Sequence, residues 1–406
     1  MGNGTFYSIN HVLKFQNASY NYNDVSPANG FYEFVIDSTL TNDSSYYRTL
    51  YNSLRFEIHE PTKGSMPGMI FSLDHEWNRY AHKIYLHRPL DDTIFQLSTP
   101  FENNISNYQA DTTEQGIVYE NMITNNITNF GLSAAIYKNN GQNIRWKIFG
   151  QYFLLGYKKG NYHFGSDLKT LFSDESFLKL VLKARNEQPG FFYENFSSNH
   201  FIWKNNFSNE KYYTVALNYF NERWSFNTGI SFSLINDKVY FNTSAVPAQY
   251  KNPITLYVLD VKKDFVLWKF HLDNKVAFQY IDETHEQILS LPKLALHNST
   301  YFEQEVNFWT GGKLRFQIGF DLYYHTSFFV HAYMPVTNSF YLQKEKEIGN
   351  YPFVDAFANV AIKRFRIFAK FAHANAGFTG YDYFTALHYP AGWRMFKLGL
   401  SWRFYD

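Results

Sequence analysis

The chain has 406 residues, of which 18% are charged and 20% aromatic, the latter drawn from 42 Phe, 33 Tyr and 8 Trp. With no cysteine it can hold no disulfide framework, no Cys-ligated zinc or iron–sulfur site and no thiol nucleophile. A net charge of +1 excludes a whole-chain nucleic-acid binder. A mean hydropathy of −0.38, with no apolar run near the roughly 18 residues of a spanning helix, argues against a helical membrane protein.

The start, Met1 to Thr5, lacks the basic and apolar regions of a signal peptide, so the chain is either internal or a mature or truncated form. A transmembrane β-barrel remains open, because its segments of about ten residues alternate and keep mean hydropathy low. Sixteen alternating segments follow, beginning near residues 6, 48, 67, 116, 144, 161, 177, 210, 224, 253, 268, 294, 313, 352, 365 and 393. Leu178, Leu180, Leu182 and Ala184 oppose Lys179, Val181, Lys183 and Arg185. Further on, Trp224, Phe226, Thr228, Ile230, Phe232 and Leu234 oppose Ser225, Asn227, Gly229, Ser231 and Ser233, and Trp268, Phe270, Leu272, Asn274, Val276, Phe278 and Tyr280 oppose Lys269, His271, Asp273, Lys275, Ala277 and Gln279. Leu314, Phe316, Ile318, Phe320 and Leu322 oppose Lys313, Arg315, Gln317 and Asp321; last, Phe396, Leu398, Leu400, Trp402 and Phe404 oppose Lys397, Gly399, Ser401 and Arg403. Side chains alternate across a strand, so each segment has one apolar and one polar face.

The connections alternate too. Short ones are expected at Glu60–Ser65, Asn139–Gln142, Ser173–Ser176, Asn221–Arg223, Asp264–Val266, Thr310–Gly312 and Lys363–Arg364. Between them lie 18–47, 81–115, 188–209, 236–252, 281–293, 327–351 and 378–392, with 156–160 the one brief member. Short periplasmic turns, long extracellular loops and an even strand number are barrel features. Trp146, Trp224, Trp268, Trp309 and Trp402 all fall at the short-turn end of a segment, as an aromatic girdle at the headgroup level would. A soluble β-sandwich also alternates, but its polar face should be dominated by solvated charge and its loops should not alternate in length. The expected fold is therefore one all-β domain over 1–406: a closed antiparallel transmembrane barrel of about 16 strands.

The last segment, Lys397-Leu-Gly399-Leu-Ser-Trp402-Arg-Phe404, fits the polar-x-Gly-x-x-aromatic-x-aromatic signal by which an assembly machine receives outer-membrane barrels. Ile348 to Phe353, Arg364-Phe365, His373 to Gly377, His388-Tyr-Pro390 and Lys397 to Asp406 together resemble the "putative porin" β-barrel family of Bacteroidota. Asp321 to His325 and Ala332 to Pro335 are similar to it as well; upstream, Thr49 to Asn52 and Gln151 to Tyr157 still fit. The resemblance implies an outer-membrane location and a pore. Members are usually longer and carry a signal peptide, which implies missing amino-terminal residues.

If the apolar faces meet lipid, the polar faces line a lumen. Its basic candidates are Arg145, Lys147, Lys179, Lys183, Arg185, Lys269, Lys275, Lys313, Arg315, Lys363, Arg366, Lys370, Lys397 and Arg403. The acidic ones are Glu57, Asp273, Glu303, Glu305, Asp321 and Asp355, with His271 beside them. This excess predicts a mild anion preference, unless opposite charges pair across strands and only hold the wall. Inward Tyr301, Tyr323 and Phe357 could form a sugar-stacking track or simply fill the wall. No metal-ligand spacing is found, no cofactor is expected, and Ser231 and Ser233 lack an identifiable base, so an enzyme is not expected. The leading function is a porin passing small hydrophilic solutes, with lipid and the assembly machinery as partners and an oligomer or a protein partner possible. The alternative is a non-conducting barrel that scaffolds or docks a partner in secretion, export or surface attachment.

Overall fold

The computed structural model describes residues 6–25, 41–61, 66–88, 109–113, 116–140, 143–281, 288–307, 312–378, 380 and 383–404. Sixteen long strands pair in sequence order. They are β1 (Tyr7–Asp24), β2 (Thr41–Ile58), β3 (Gly68–Arg88), β4 (Gly116–Lys138), β5 (Ile144–Leu155), β6 (Tyr162–Ser173), β7 (Ser176–Glu187) and β8 (Glu210–Asn221). The second half is β9 (Phe226–Asn236), β10 (Ile254–Leu267), β11 (Phe270–Ile281), β12 (Leu294–Asn307), β13 (Lys313–His325), β14 (Phe353–Ile362), β15 (Phe365–Ala372) and β16 (Met395–Trp402). Every pairing is antiparallel, and the short strand Gln109–Thr113 adds to the start of β4. Among the described residues β1 pairs only with β2, and β16 only with β15.

Fifteen of the sixteen strand starts fall within two residues of the positions expected from alternation. The exception is β2, expected near 48 and starting at Thr41; β1 likewise runs on to Asp24, so Ala18–Asp24 and Thr41–Tyr47 of the connection expected at 18–47 are strand. Asn17 to Asn23 sets only Ala18, Tyr20 and Tyr22 against Asn and Ser, and Asn42 to Ser45 are all polar, so there is no strongly apolar face and little alternation to read. The connection expected at 81–115 is shortened in the same way by the extension of β3 to Arg88.

The turn expected at Asp264–Val266 is a second correction. Those residues pair with Asp273 to His271, and the chain reverses two residues later at Trp268-Lys269. Trp268 adopts φ 57°, as does its counterpart Lys363 (φ 52°) in the Lys363-Arg364 turn. Two-residue hairpins require this left-handed backbone because it matches the twist of the flanking strands.

Register keeps the two faces apart through the whole sheet. Phe320 lies between Thr300 and Ala356, and Leu400 opposes Ile367, which opposes Val360. One position along, Gln317 lies between Glu303 and Asn359, and Ser401 opposes Arg366. A slip of one residue would exchange the faces. Two glycines sit where the neighbouring strand leaves no room: a Cβ at Gly399 would collide with the Phe368 ring, and one at Gly319 with the Thr300 carbonyl and the Cα and Cβ of Tyr301.

The longer connections at the opposite end from the tight turns carry the remaining elements. A short helix, Phe191–Glu194, precedes a hairpin of Asn195–Ser197 with Ile202–Lys204. Lys238–Phe241 pairs with Pro247–Tyr250, Ala332–Met334 with Ser339–Tyr341, and Phe384–Ala386 with Tyr389–Pro390.

Candidate functional site

The polar face collects nearly all the ionisable residues expected on it. His271, Asp273 and Lys275 oppose Tyr301, Ser299 and His297 on β12; these oppose Gly319, Asp321 and Tyr323 on β13, and then Phe357, Asp355 and Phe353 on β14. Lys179, Lys183 and Arg185 oppose Asn218, Thr214 and Tyr212. Lys370 opposes Lys397 and Phe357, while Phe368 opposes Gly399. Lys269 is not on the wall. It sits in the β10–β11 turn with its ammonium 4.6 Å from the Trp268 ring centroid.

The sequence reading placed too few acids on this face. Register adds Asp74, Glu76, Asp167, Glu187, Asp260 and Asp264, which precede or interrupt the clearest alternation and were not assigned to a side. Many charges pair across strands. Lys370 bridges Asp355 at 2.8 Å and Asp321 at 3.2 Å, and Ser299 donates to Asp321 at 2.8 Å. Lys313 lies 2.8 Å from Glu305, Arg315 within 3.8 Å of Glu303 and 3.6 Å of Glu305, and Gln317 donates to Glu303 at 2.6 Å. Arg185 meets Glu187 at 3.1 Å, Lys262 meets Asp264 at 3.1 Å and Lys179 meets Asp167 at 3.5 Å.

The Lys269, Asp273 and Glu303 side chains form no ion pair with one another, and His271 stacks on Tyr301 at 4.7 Å. Among the described residues, Arg145, Lys147, Lys183, Lys275, Arg366 and Lys397 have no carboxylate partner. Asp74, Asp260 and Asp273 have no cationic one; Asp74 instead accepts from Tyr51 at 2.8 Å and Gln151 at 2.9 Å. The polar wall therefore retains a small basic surplus after pairing.

The tight-turn end carries an aromatic rim. Trp146 opposes Leu168 on the apolar face, and Trp402 stacks on Phe404 at 5.1 Å and meets Phe365 at 6.4 Å. Trp224 and Trp268 lie in the turns themselves and are largely exposed; Trp268 packs on Phe302 at 6.0 Å. Trp309 lies outside the described residues. Of the assembly signal, Lys397, Gly399 and Trp402 are on β16, while Phe404 follows its last residue.

At the other end, long connections from distant parts of the chain fold together. His200 and Thr41 share a 2.9 Å hydrogen bond, and Asn199 donates to Thr41 at 2.8 Å and through its backbone to Asp43 at 2.6 Å. All four side chains are buried, so the connection after β7 is pinned to the start of β2. The Leu342 N–H donates to the Phe241 carbonyl at 3.0 Å, and the Tyr20 hydroxyl donates to the Pro335 carbonyl. The connection after β13 thus touches β1. Ala245, Met334 and Val336 are buried together with Tyr22 and Phe201 against them.

These contacts enclose a cavity of about 690 Å³ lined by residues of β1, β2 and four connections. Its walls include Tyr20, Tyr47, Tyr193, Trp203, Tyr240 and Phe340, with Lys238 and His331 as the ionisable members. Burial works against the Lys238 charge, but Glu210 at 3.0 Å and the Tyr212 hydroxyl hold it above the usual lysine range. Burial lowers His331, offset in part by a hydrogen bond to the Ile288 backbone, so the ring is neutral at pH 7. Nothing in the sequence pointed to this cavity, because its residues are separated by up to 320 positions and carry no motif.

Comparison with known proteins agrees with this geometry. A family model described as "Putative porin" matches residues 4–406. No curated protein matches the chain. The ferripyoverdine receptor of the outer membrane of Pseudomonas aeruginosa, bound to ferripyoverdine, shares 10% identity over 90% of this chain and 50% of its own, with a TM-score of 0.55. A variant of the ferric enterobactin receptor of the same organism, in complex with enterobactin, shares 11% identity over 97% of this chain and 62% of its own, with a TM-score of 0.54. The chain therefore spans between half and 62% of the length of these receptors. At such identity the likeness is one of fold, that of outer-membrane receptor barrels.

Proposed function

The chain belongs to the "putative porin" family, and from that membership we propose that its sixteen strands close into an outer-membrane barrel for passive diffusion of small hydrophilic solutes. In this reading β1 pairs with β16, the apolar face meets lipid and the polar face lines water. The tight turns are periplasmic and the long connections extracellular. Support for closure comes from a contact across the sheet and from the cost of an open edge. Pro335, in the connection after β13, already contacts Tyr20 of β1, and an unpaired strand edge in lipid costs several kcal/mol per exposed group.

The observation that carries the solute preference is the basic surplus left after pairing, Lys183, Lys275, Arg366 and Lys397 among it. Water in the pore and salt screening over about 8 Å at physiological ionic strength keep the resulting anion preference weak. No covalent step is needed. The test is conductance in planar bilayers: wild-type protein should give open steps with a reversal potential slightly on the anion side in a KCl gradient. Replacing Lys183, Lys275, Arg366 and Lys397 with Gln should move that potential toward cations. Absence of steps from correctly folded protein would refute the pore.

A second reading, a non-conducting barrel that docks a partner, is favoured by one observation, the packing of three connections across the mouth. The same recording separates the two.

A further inference from the structure

We infer that the cavity among the long connections is a binding site for a short, neutral oligosaccharide. The inference rests on the reading that this end is the entrance of the pore, and it narrows the class of solute met there.

The wall chemistry selects the ligand. At about 690 Å³ the cavity lies within the roughly 300–1,000 Å³ of small-molecule sites. Aromatic rings face it from separate parts of the chain, Tyr47 from β2, Trp203 from the connection after β7, Tyr240 from the connection after β9 and Phe340 from the connection after β13. Phe340 is 57% exposed, a large apolar surface held open rather than packed away. Trp203 cannot swing aside, because its indole N–H donates to the Phe192 carbonyl at 2.9 Å and its ring stacks on Phe196 at 4.6 Å.

Charge excludes an anion. Among the described residues Lys238 is the one Lys or Arg in the lining, and its ammonium is already held by Glu210. Among the described residues no carboxylate lines the cavity, so a cation meets no counter-charge from them either. A plain hydrocarbon is disfavoured by the polar atoms that remain. His331 Nε2 is buried without a partner among the described residues, and Ser45 and Asn338 also face the space. An apolar ligand would displace the water from these groups and leave His331 Nε2 and Ser45 without a hydrogen bond in exchange. A sugar ring meets both demands, because it has an apolar C–H face for the aromatic rings and a rim of hydroxyls for His331, Ser45 and Asn338.

The test uses the full chain folded in detergent and in planar bilayers, with maltotriose and cellotriose as neutral probes and citrate as the anionic one. At least one trisaccharide should bind in calorimetry and interrupt the KCl current from the long-loop side. Phe340→Ala and Tyr240→Ala should each weaken binding about threefold to tenfold, the loss of one ring contact. Heat-modified mobility on gels shows that both variants are folded. The inference is overturned if neither trisaccharide binds, if neither variant weakens binding, or if citrate binds as tightly as the better sugar. If the wild type binds a trisaccharide but never conducts, the cavity assignment stands and the pore reading falls; if it conducts but binds neither, the reverse holds.

Discussion

Phe320→Arg tests which face of the sheet meets lipid. Phe320 lies near the middle of β13 on the apolar face, is 42% exposed, and has Thr300 and Ala356 beside it in register, neither of which carries a charge to receive a cation. An arginine on the lipid face near the bilayer midplane costs about 2–4 kcal/mol, which is roughly thirtyfold to nearly a thousandfold in the folding equilibrium. Gln317→Arg is the control. Gln317 is on the opposite face, where it donates to Glu303 at 2.6 Å and accepts from Asn359 at 3.1 Å. An arginine there keeps a donor for Glu303, so its effect should stay within about 1 kcal/mol. Gly319 is unsuitable as a control because any Cβ would collide with Tyr301 and the Thr300 carbonyl. Urea titration of folding into phosphatidylcholine vesicles measures both variants. Equal destabilisation would refute the assignment of faces on β13 and, through the continuous register, across the sheet.

The remaining predictions address assembly, the wall, the rim and closure. Trp402→Ala combined with Phe404→Ala should lower the amount of heat-modifiable protein in the outer membrane without lowering synthesis, because the pair ends the apolar edge of the last strand; unchanged amounts would refute it. Lys370→Met leaves Asp321 and Asp355 facing each other without their shared cation and should destabilise by about 1–3 kcal/mol. Adding Asp355→Asn should recover part of that loss in the same titration. At the tight-turn rim, burial pushes the Glu60 carboxyl up, but hydrogen bonds from the Asn139 and Asn140 N–H groups and from Lys138 outweigh it and hold it below the usual range. Its stabilisation is therefore present above the ordinary glutamate value of about 4.3 and is lost as pH falls through the lowered one. The melting temperatures of wild type and Glu60→Gln should differ at pH 7 and converge in acid. Finally, the cysteine-free chain suits cross-linking: in a panel pairing Ile9→Cys or Leu13→Cys with Leu398→Cys or Leu400→Cys, at least one pair should oxidise to a disulfide if β1 and β16 close the barrel, and none if they do not.

Strand positions were legible wherever one face is apolar. From β5 to β16 the alternation of side chains located each strand, because the apolar face supplies a period of two that no other structure shares. Legibility failed where that face ends. The long-loop ends of β1 and β2 are built from Asn, Ser and Tyr, so the pairing of Ala18 to Asp24 with Thr41 to Tyr47 is held by backbone hydrogen bonds and left no hydropathy signal. One acid of the polar wall, Asp264, was missed for a related reason: it was expected to open a turn at Asp264–Val266, and a turn leaves the side of each residue undefined, whereas Asp260, Lys262 and Asp264 share one face of β10. The mouth was invisible altogether, since Thr41 and His200, or Tyr20 and Pro335, come together only through the fold.

Pairing along the wall also locates where discrimination can occur. A charge that bridges two strands, as Lys370 does between Asp321 and Asp355, stabilises the wall and projects little field into the water beside it. The surplus that remains is spread over β5, β7, β11, β15 and β16 rather than gathered in one ring, so no single height along the wall can impose a strong barrier. The mouth is built differently. There Asn199, His200, Thr41 and Asp43 form a buried polar knot, while Tyr240, Phe340 and Trp203 are presented toward one space by three separate connections. Packed groups held at fixed distances discriminate between solutes by contact, whereas dispersed charges in water do so only by screened attraction. Deleting charges on the wall should therefore shift ion preference gently and leave sugar recognition intact, and removing rings at the mouth should do the opposite.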